Sequence, residues 1–184
     1  MVEGLSVPPF APQASWDMTS HGTLVGGGGE AFLHEFSATG DTLRTITVPG
    51  AAARPVPARE LRDSLEALEA RIDSLPVPLS DVQGVSAAVV ARELPDSLPA
   101  YLATHIGEGD RIWLERWPSE GKAGAVRIYD VLAYDGTHLG TVRVPLPLLR
   151  DPPPFFGLDV LYGVVRDPQT EVESVVGARF DLRR

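Results

Sequence analysis

A sequence of 184 residues, 43% of them apolar, is long enough for one domain with a sizeable core and is typical of a globular chain. The net charge of −9, from 25 acidic and 16 basic residues, would repel a phosphate backbone, so we expect no nucleic-acid partner. Because the chain has no cysteine, no apolar run of about 18 residues and no basic segment leading into an apolar one, we expect no disulfide, no membrane span and no signal peptide.

Residues 1–49 predict an N-terminal lead-in followed by a blade of short β-strands. The 18 glycines and 17 prolines fall mostly between short segments rich in Val, Ile, Leu, Thr and aromatic residues, which is the pattern of an all-β domain. Strands are predicted at residues 15–19, 23–26, 31–36 and 43–48. Their order and short turns predict a four-stranded antiparallel meander.

Residues 50–99 differ in character and predict a small α-helical insert. After Pro57, apolar residues recur at the spacing of one face of an α-helix. These residues are Leu61, Leu65, Leu68, Ile72 and Leu75. A second, shorter helix is predicted over residues 81–93, with Ser80 as its N-cap.

Residues 100–150 predict a second blade that repeats the first. Strands are predicted at residues 101–105, 111–117, 126–133 and 139–144. At an offset of 96 residues, six positions match: Gly40 with Gly136, Leu43 with Leu139, Thr45 with Thr141, Ile46 with Val142, Val48 with Val144 and Pro49 with Pro145. Without the insert, the repeat is about 45 residues long, which is the length of a four-stranded propeller blade.

Residues 151–184 predict a third, incomplete blade. It begins near Phe155 and continues with strands at residues 160–166 and 174–182, but its outermost strand is missing. The sequence therefore predicts an all-β fold, a partial β-propeller of about three four-stranded antiparallel blades with a small helical insert. A closed ring needs at least about four blades, so we expect that this chain does not close by itself.

Several motifs resemble six-bladed, NHL-like β-propeller proteins of bacteria. Residues 129–142 (YDVLAYDGTHLGTV) resemble a blade ending of that family, residues 112–118 (IWLERWP) its preceding strand, and residues 161–167 (LYGVVRD) its closing blade. The resemblance covers most of the chain but only the later half of such a protein, and it implies a fold rather than a chemistry. The first blade departs from the pattern, with His34, Glu35 and Phe36 where the family more often carries an aromatic residue and Asp.

The sequence offers no catalytic, metal or cofactor site. Its four histidines are far apart and form no HxH or HExxH pair, although His105 is expected to end an innermost strand beside the central axis. The glycines at 26–29 are followed by no Gly-Lys-Ser/Thr, and no Gly-x-Ser-x-Gly occurs. Asp130 and Asp135 flank a turn, and an Asp-Gly hairpin explains Asp135 without a substrate.

The leading functional prediction is a non-catalytic binding or protein-interaction module whose ligand is unknown. In a propeller, the loops between second and third strands emerge on one face, and loops on a rigid scaffold commonly carry binding residues. Arg116, Trp117, Arg166 and Asp167, at the roots of two such loops, are therefore predicted to bind a ligand or partner. The alternative is a propeller hydrolase or lyase of lactonase type, which would need carboxylates and histidines around a central metal.

Two origins for the missing blades remain open. The chain is either a piece of a longer protein with further N-terminal blades, which we favour, or one half of a homodimer that completes a six-bladed ring. The molecule that the predicted binding module recognises is a protein or a small molecule. The sequence leaves the compartment open, although the resemblance implies a periplasmic or secreted protein for the full-length form.

Overall fold

The structure is a computed structural model, and it describes residues 14–52, 54–59, 61–63, 66, 97–117 and 126–182. The chain divides into two compact units, the larger one made of the segments Gln13–Ala52 and Ala100–Arg184. In the smaller unit, the described residues include the strand pair β5 (Arg54–Pro55) and β6 (Ser97–Leu98), together with the start of a helix, where the Leu61 N–H donates to the Pro57 carbonyl at 3.0 Å. The rest of the predicted insert, including residues 81–93, lies outside the described residues.

Three antiparallel sheets form the larger unit, and each follows chain order from its innermost strand outward. The first blade contains β1 (Ser15–Met18), β2 (Leu24–Gly27), β3 (Phe32–Phe36) and β4 (Thr42–Thr47). The second contains β7 (Ala103–Ile106), β8 (Ile112–Glu115), β9 (Arg127–Leu132) and β10 (His138–Val144). The third contains β11 (Phe155–Phe156), β12 (Val160–Arg166) and β13 (Glu173–Arg179). The all-β, partial-propeller prediction is confirmed.

The predicted repeat is present in the backbone pairing of the first two blades. The β3–β4 and β9–β10 hairpins have the same register at an offset of 96 residues, including one bulge, which skips Leu43 in the first blade and Leu139 in the second. Their turns also match, since Gly40 and Gly136 have φ angles of 88° and 93°. Even the cross-strand bonds correspond, because Thr45 contacts His34 and Thr141 donates to Asp130 at equivalent positions.

Two apolar clusters hold the three blades together. The first lies between the first two blades and the second between the last two. Val25, Leu33, Ile46, Val48, Tyr101, Ile112, Leu114 and Leu132 make up the first cluster. Trp113, Tyr129, Val131, Val142, Val144, Leu148, Phe156 and Leu161 make up the second. Each fully buried large side chain contributes roughly 1.5–3 kcal/mol to folding, so these interfaces, rather than the short strands, provide most of the stability.

Candidate functional site

The innermost strands of the three blades line an open groove of about 400 Å³, which we call the inner groove. Strands β1, β7 and β11 each contribute one wall, together with the short turn after β7 and the segment before β11. The lining residues are Ser15, Trp16, Asp17, Thr104, His105, Ile106, Gly107, Glu108, Pro153, Pro154, Phe155 and Phe156. A groove of this volume is in the usual range for sites that hold small molecules or single side chains.

Side chains of β1 fix the first wall to the second. The Thr104 N–H donates to Ser15 Oγ at 2.8 Å, and the Ile106 N–H donates to Asp17 Oδ2 at 2.7 Å. The other carboxylate oxygen of Asp17 accepts the Met18 N–H at 2.8 Å. These bonds satisfy backbone donors at the edge of β7 and hold the Asp17 carboxylate in one orientation, while each of its oxygens keeps a further lone pair.

His105 is enclosed in the second wall. Its ring stacks on Phe156 with centroids 4.9 Å apart, and its Nε2 atom is buried without a hydrogen-bond partner. Burial lowers the pKa of His105, and this outweighs the opposing effect of the negative charges on Glu115 and Asp17. The imidazole is therefore neutral near pH 7, and it adds no positive charge to the groove.

Glycine at position 107 allows the second and third walls to approach each other. A Cβ atom at Gly107 would lie 2.7 Å from both the Phe156 carbonyl oxygen and the Trp113 Nε1 atom. The 3₁₀ turn that follows, Glu108–Asp110, begins with an exposed glutamate that lines the groove. Thr104 is only 2% exposed, and its hydroxyl oxygen is buried inside the wall without a hydrogen-bond partner in the structure.

The predicted binding residues lie outside the inner groove, at the C-terminal ends of β8 and β12. Arg116 makes a two-point ion pair with Asp130, one bond of which joins Nη2 to Oδ1 at 2.8 Å. Arg166 pairs with Glu173 on the neighbouring strand. These pairs occupy both guanidinium groups within their own blades, although each side chain stays about half exposed.

Asp167 and Trp117 complete the predicted set. The Asp167 carboxylate accepts the backbone N–H groups of Gln169 and Thr170 at 2.8 and 2.9 Å, and these bonds lower its pKa. Asp167 therefore stabilises the β12–β13 turn. Trp117 is partly buried, and the loop that follows it, residues 118–125, lies outside the described residues. The loop-face site stays a prediction.

Sequence reasoning placed His105 on an innermost strand beside the axis but did not identify Asp17 and Glu108 as its neighbours. The alternation of Ser15 and Asp17 along β1 was the available signal, since both side chains point to β7. The carboxylates Asp130 and Asp135 are held separately, Asp130 by Arg116 and Thr141 and Asp135 by the Thr137 N–H at 2.9 Å.

Among the described residues, no three or more His, Asp or Glu side chains are grouped to hold a metal ion, and no described helix is long and apolar enough to cross a membrane. No protein-family model matches this sequence, and neither does any curated protein.

Proposed function

We propose that the chain is a non-catalytic binding module, part of a six-bladed, NHL-like β-propeller that holds a protein or small-molecule ligand in its inner groove. The observation that carries this proposal is the convergence of three innermost strands on one groove with fixed polar groups and exposed aromatic side chains. Rigid strands give a preformed site, which lowers the entropic cost of binding.

The arrangement of the polar groups favours binding over proton transfer. Ser15 and Asp17 already bond to the backbone of β7, and the Nε2 atom of His105 is buried. A general base must reach the proton that it removes, either directly or through one water molecule. A buried Nε2 does not meet that requirement for a ligand lying in the groove.

Exposed apolar faces at both ends of the larger unit support a ring with more blades. On the first blade Trp16, Leu24 and Phe32 are exposed, whereas Ile112 and Leu114 on the second blade are buried against the first. The third blade exposes Phe155, Tyr162 and Val175, of which Val175 is 75% exposed. Faces of this kind are covered by a neighbour inside a propeller, so further blades from a longer chain or from a second copy belong on them.

Amide chemical-shift mapping by NMR tests the proposed site. We would titrate the labelled chain with benzylamine, benzyl alcohol, benzoate and γ-butyrolactone, and we expect shifts concentrated on β1, β7 and β11. The matched control is the double variant that carries both Trp117→Ala and Arg166→Ala, which should leave those shifts unchanged. Shifts confined to residues beside Trp117 and Arg166, and lost in that double variant, would move the site to the predicted loop face.

A second measurement separates binding from the lactonase alternative. We expect that γ-butyrolactone stays intact after incubation with the chain and Ca²⁺ or Mn²⁺. Hydrolysis that is abolished by EDTA would replace the binding proposal with an enzymatic one.

A further inference from the structure

The charges that face the inner groove have one sign. Asp17 and Glu108 line it, and among the described lining residues there is no lysine or arginine. His105 is neutral near pH 7 because burial lowers its pKa. Two carboxylates in a concave surface with apolar walls concentrate a negative potential, which attracts cations and repels anions.

The rest of the lining fits an apolar body attached to such a cation. Trp16 and Phe155 are 42% and 59% exposed, and they line the groove together with Pro153 and Pro154. Aromatic rings attract ammonium and guanidinium groups as well as apolar surface. The volume of about 400 Å³ accommodates one long side chain or a small aromatic amine.

The free acceptor oxygens of the groove fit a ligand with hydrogen-bond donors. Asp17 retains lone pairs after accepting two backbone N–H groups, and Glu108 is exposed. Both residues carry oxygen atoms that accept hydrogen bonds, and an ammonium or guanidinium group provides only donors.

A metal ion is a poorer occupant than an organic cation. Both oxygens of Asp17 already accept backbone N–H bonds, and the described residues place no third ligand beside this carboxylate. An organic cation needs only partial coordination, because its apolar body adds binding energy through the aromatic and proline walls.

We propose that the inner groove binds an organic cation, an ammonium or guanidinium group on an apolar body, with Glu108 as the exposed carboxylate and Asp17 as the oriented one. This inference rests on the proposed function and specifies its ligand. The cation is either a free amine or the side chain of a lysine or arginine in a protein.

Titration with probes that differ only in charge tests the proposal. Benzylamine, benzyl alcohol and benzoate share a ring and differ in their polar group, and binding is followed by amide shifts of β1 and β7. We expect benzylamine to bind at least about tenfold more tightly than benzyl alcohol and benzoate to bind more weakly still. A further probe, acetyl-Phe-Arg-amide, presents an arginine side chain. Tighter binding of this peptide than of benzylamine would indicate a protein side chain as the ligand, and the reverse would indicate a free amine.

Glu108→Gln should weaken benzylamine binding by about three- to tenfold without changing the affinity for benzyl alcohol. Glu171→Gln removes one negative charge from the exposed β12–β13 turn and is the matched control, which should bind as the parent does. If benzyl alcohol or benzoate binds in the groove as tightly as benzylamine, the cation proposal is wrong and the binding module stands. If no probe shifts the groove residues, both proposals are wrong.

Discussion

Replacing Glu35 should loosen the contact between the first two blades. This carboxylate is only 2% exposed, and its two oxygens accept hydrogen bonds from the Thr23 hydroxyl, the Tyr134 hydroxyl and the Arg44 guanidinium. Arg44 also donates to the Tyr134 carbonyl at 2.6 Å and lies 4.0 Å from the centre of the Tyr134 ring. One buried charge thus connects β3, β4 and the residue that precedes β2 in the first blade to the β9–β10 turn of the second.

The size of the effect follows from what remains after the change. In Glu35→Gln, one carbonyl oxygen can accept one or two of the bonds, while the amide nitrogen faces donors and Arg44 loses its counter-ion. Breaking a buried ion pair costs about 3–5 kcal/mol, and because the Arg44 side chain is 31% exposed we expect the lower end, about 3 kcal/mol. In a protein of this length that corresponds to a fall in Tm of roughly 6–12 °C.

Urea and thermal unfolding followed by circular dichroism measure this change at pH 7. Glu171→Gln makes the same chemical substitution on an exposed turn and should alter the free energy of unfolding by less than about 0.5 kcal/mol. Tyr134→Phe removes one donor and should cost about 1.5–3 kcal/mol, less than additive with Glu35→Gln. A Glu35→Gln variant as stable as the parent would show that the carboxylate does not join the blades.

Three further predictions use the same unfolding assay or the mass of the chain. Burial opposes ionisation of Glu35, but its hydrogen bonds and the charge of Arg44 lower its pKa. The stability that the ionised carboxylate provides is therefore present above about pH 4.3 and is lost as the pH falls through the lower pKa of the folded state. Between pH 7 and pH 3, the urea midpoint of Glu35→Gln should fall less steeply than that of the parent. Gly136→Ala should lower the free energy of unfolding more than the equivalent Gly40→Ala. Both glycines have positive φ, but only at Gly136 would a Cβ atom lie 2.7 Å from Ile46. An equal loss of stability in the two variants would contradict the importance of that contact. Light scattering after size exclusion should give a dimer if two copies complete the ring, whereas a monomer or an aggregate would assign the missing blades to a longer chain.

The blade repeat could be predicted because it depends on local pattern. Glycine at the two equivalent turn positions and matching residues around them set the hairpin register, and the structure reproduces it down to the bulge. At Glu35 the first blade differs from the second for a physical reason that the sequence does not show. At the 96-residue offset it corresponds to Val131, an apolar position, and it is tolerated because Tyr134 and Arg44 satisfy its charge.

The inner groove could not be predicted in the same way, because it depends on contacts between residues far apart in sequence. Asp17 meets Ile106 across 89 positions, and no periodicity within one blade relates them. Glu108 joins the groove through the close approach of Gly107 to Phe156, which depends on how two blades pack. Arg116 and Arg166 were predicted to bind a ligand because they lie at the roots of loops. Sequence alone could not show that Asp130 and Glu173 already pair with them.

The groove and the exposed end faces are linked through two aromatic residues. Trp16 lines the groove and packs edge-on against Phe36 of the first blade, with ring centroids 5.2 Å apart, and Phe155 lines it beside the exposed Tyr162 of the third blade. Blades added at either end would therefore enclose the groove further and remove water from Asp17 and Glu108. Charge interactions strengthen as the surroundings become less polar, so a completed ring should bind the proposed cation more tightly than the open unit does.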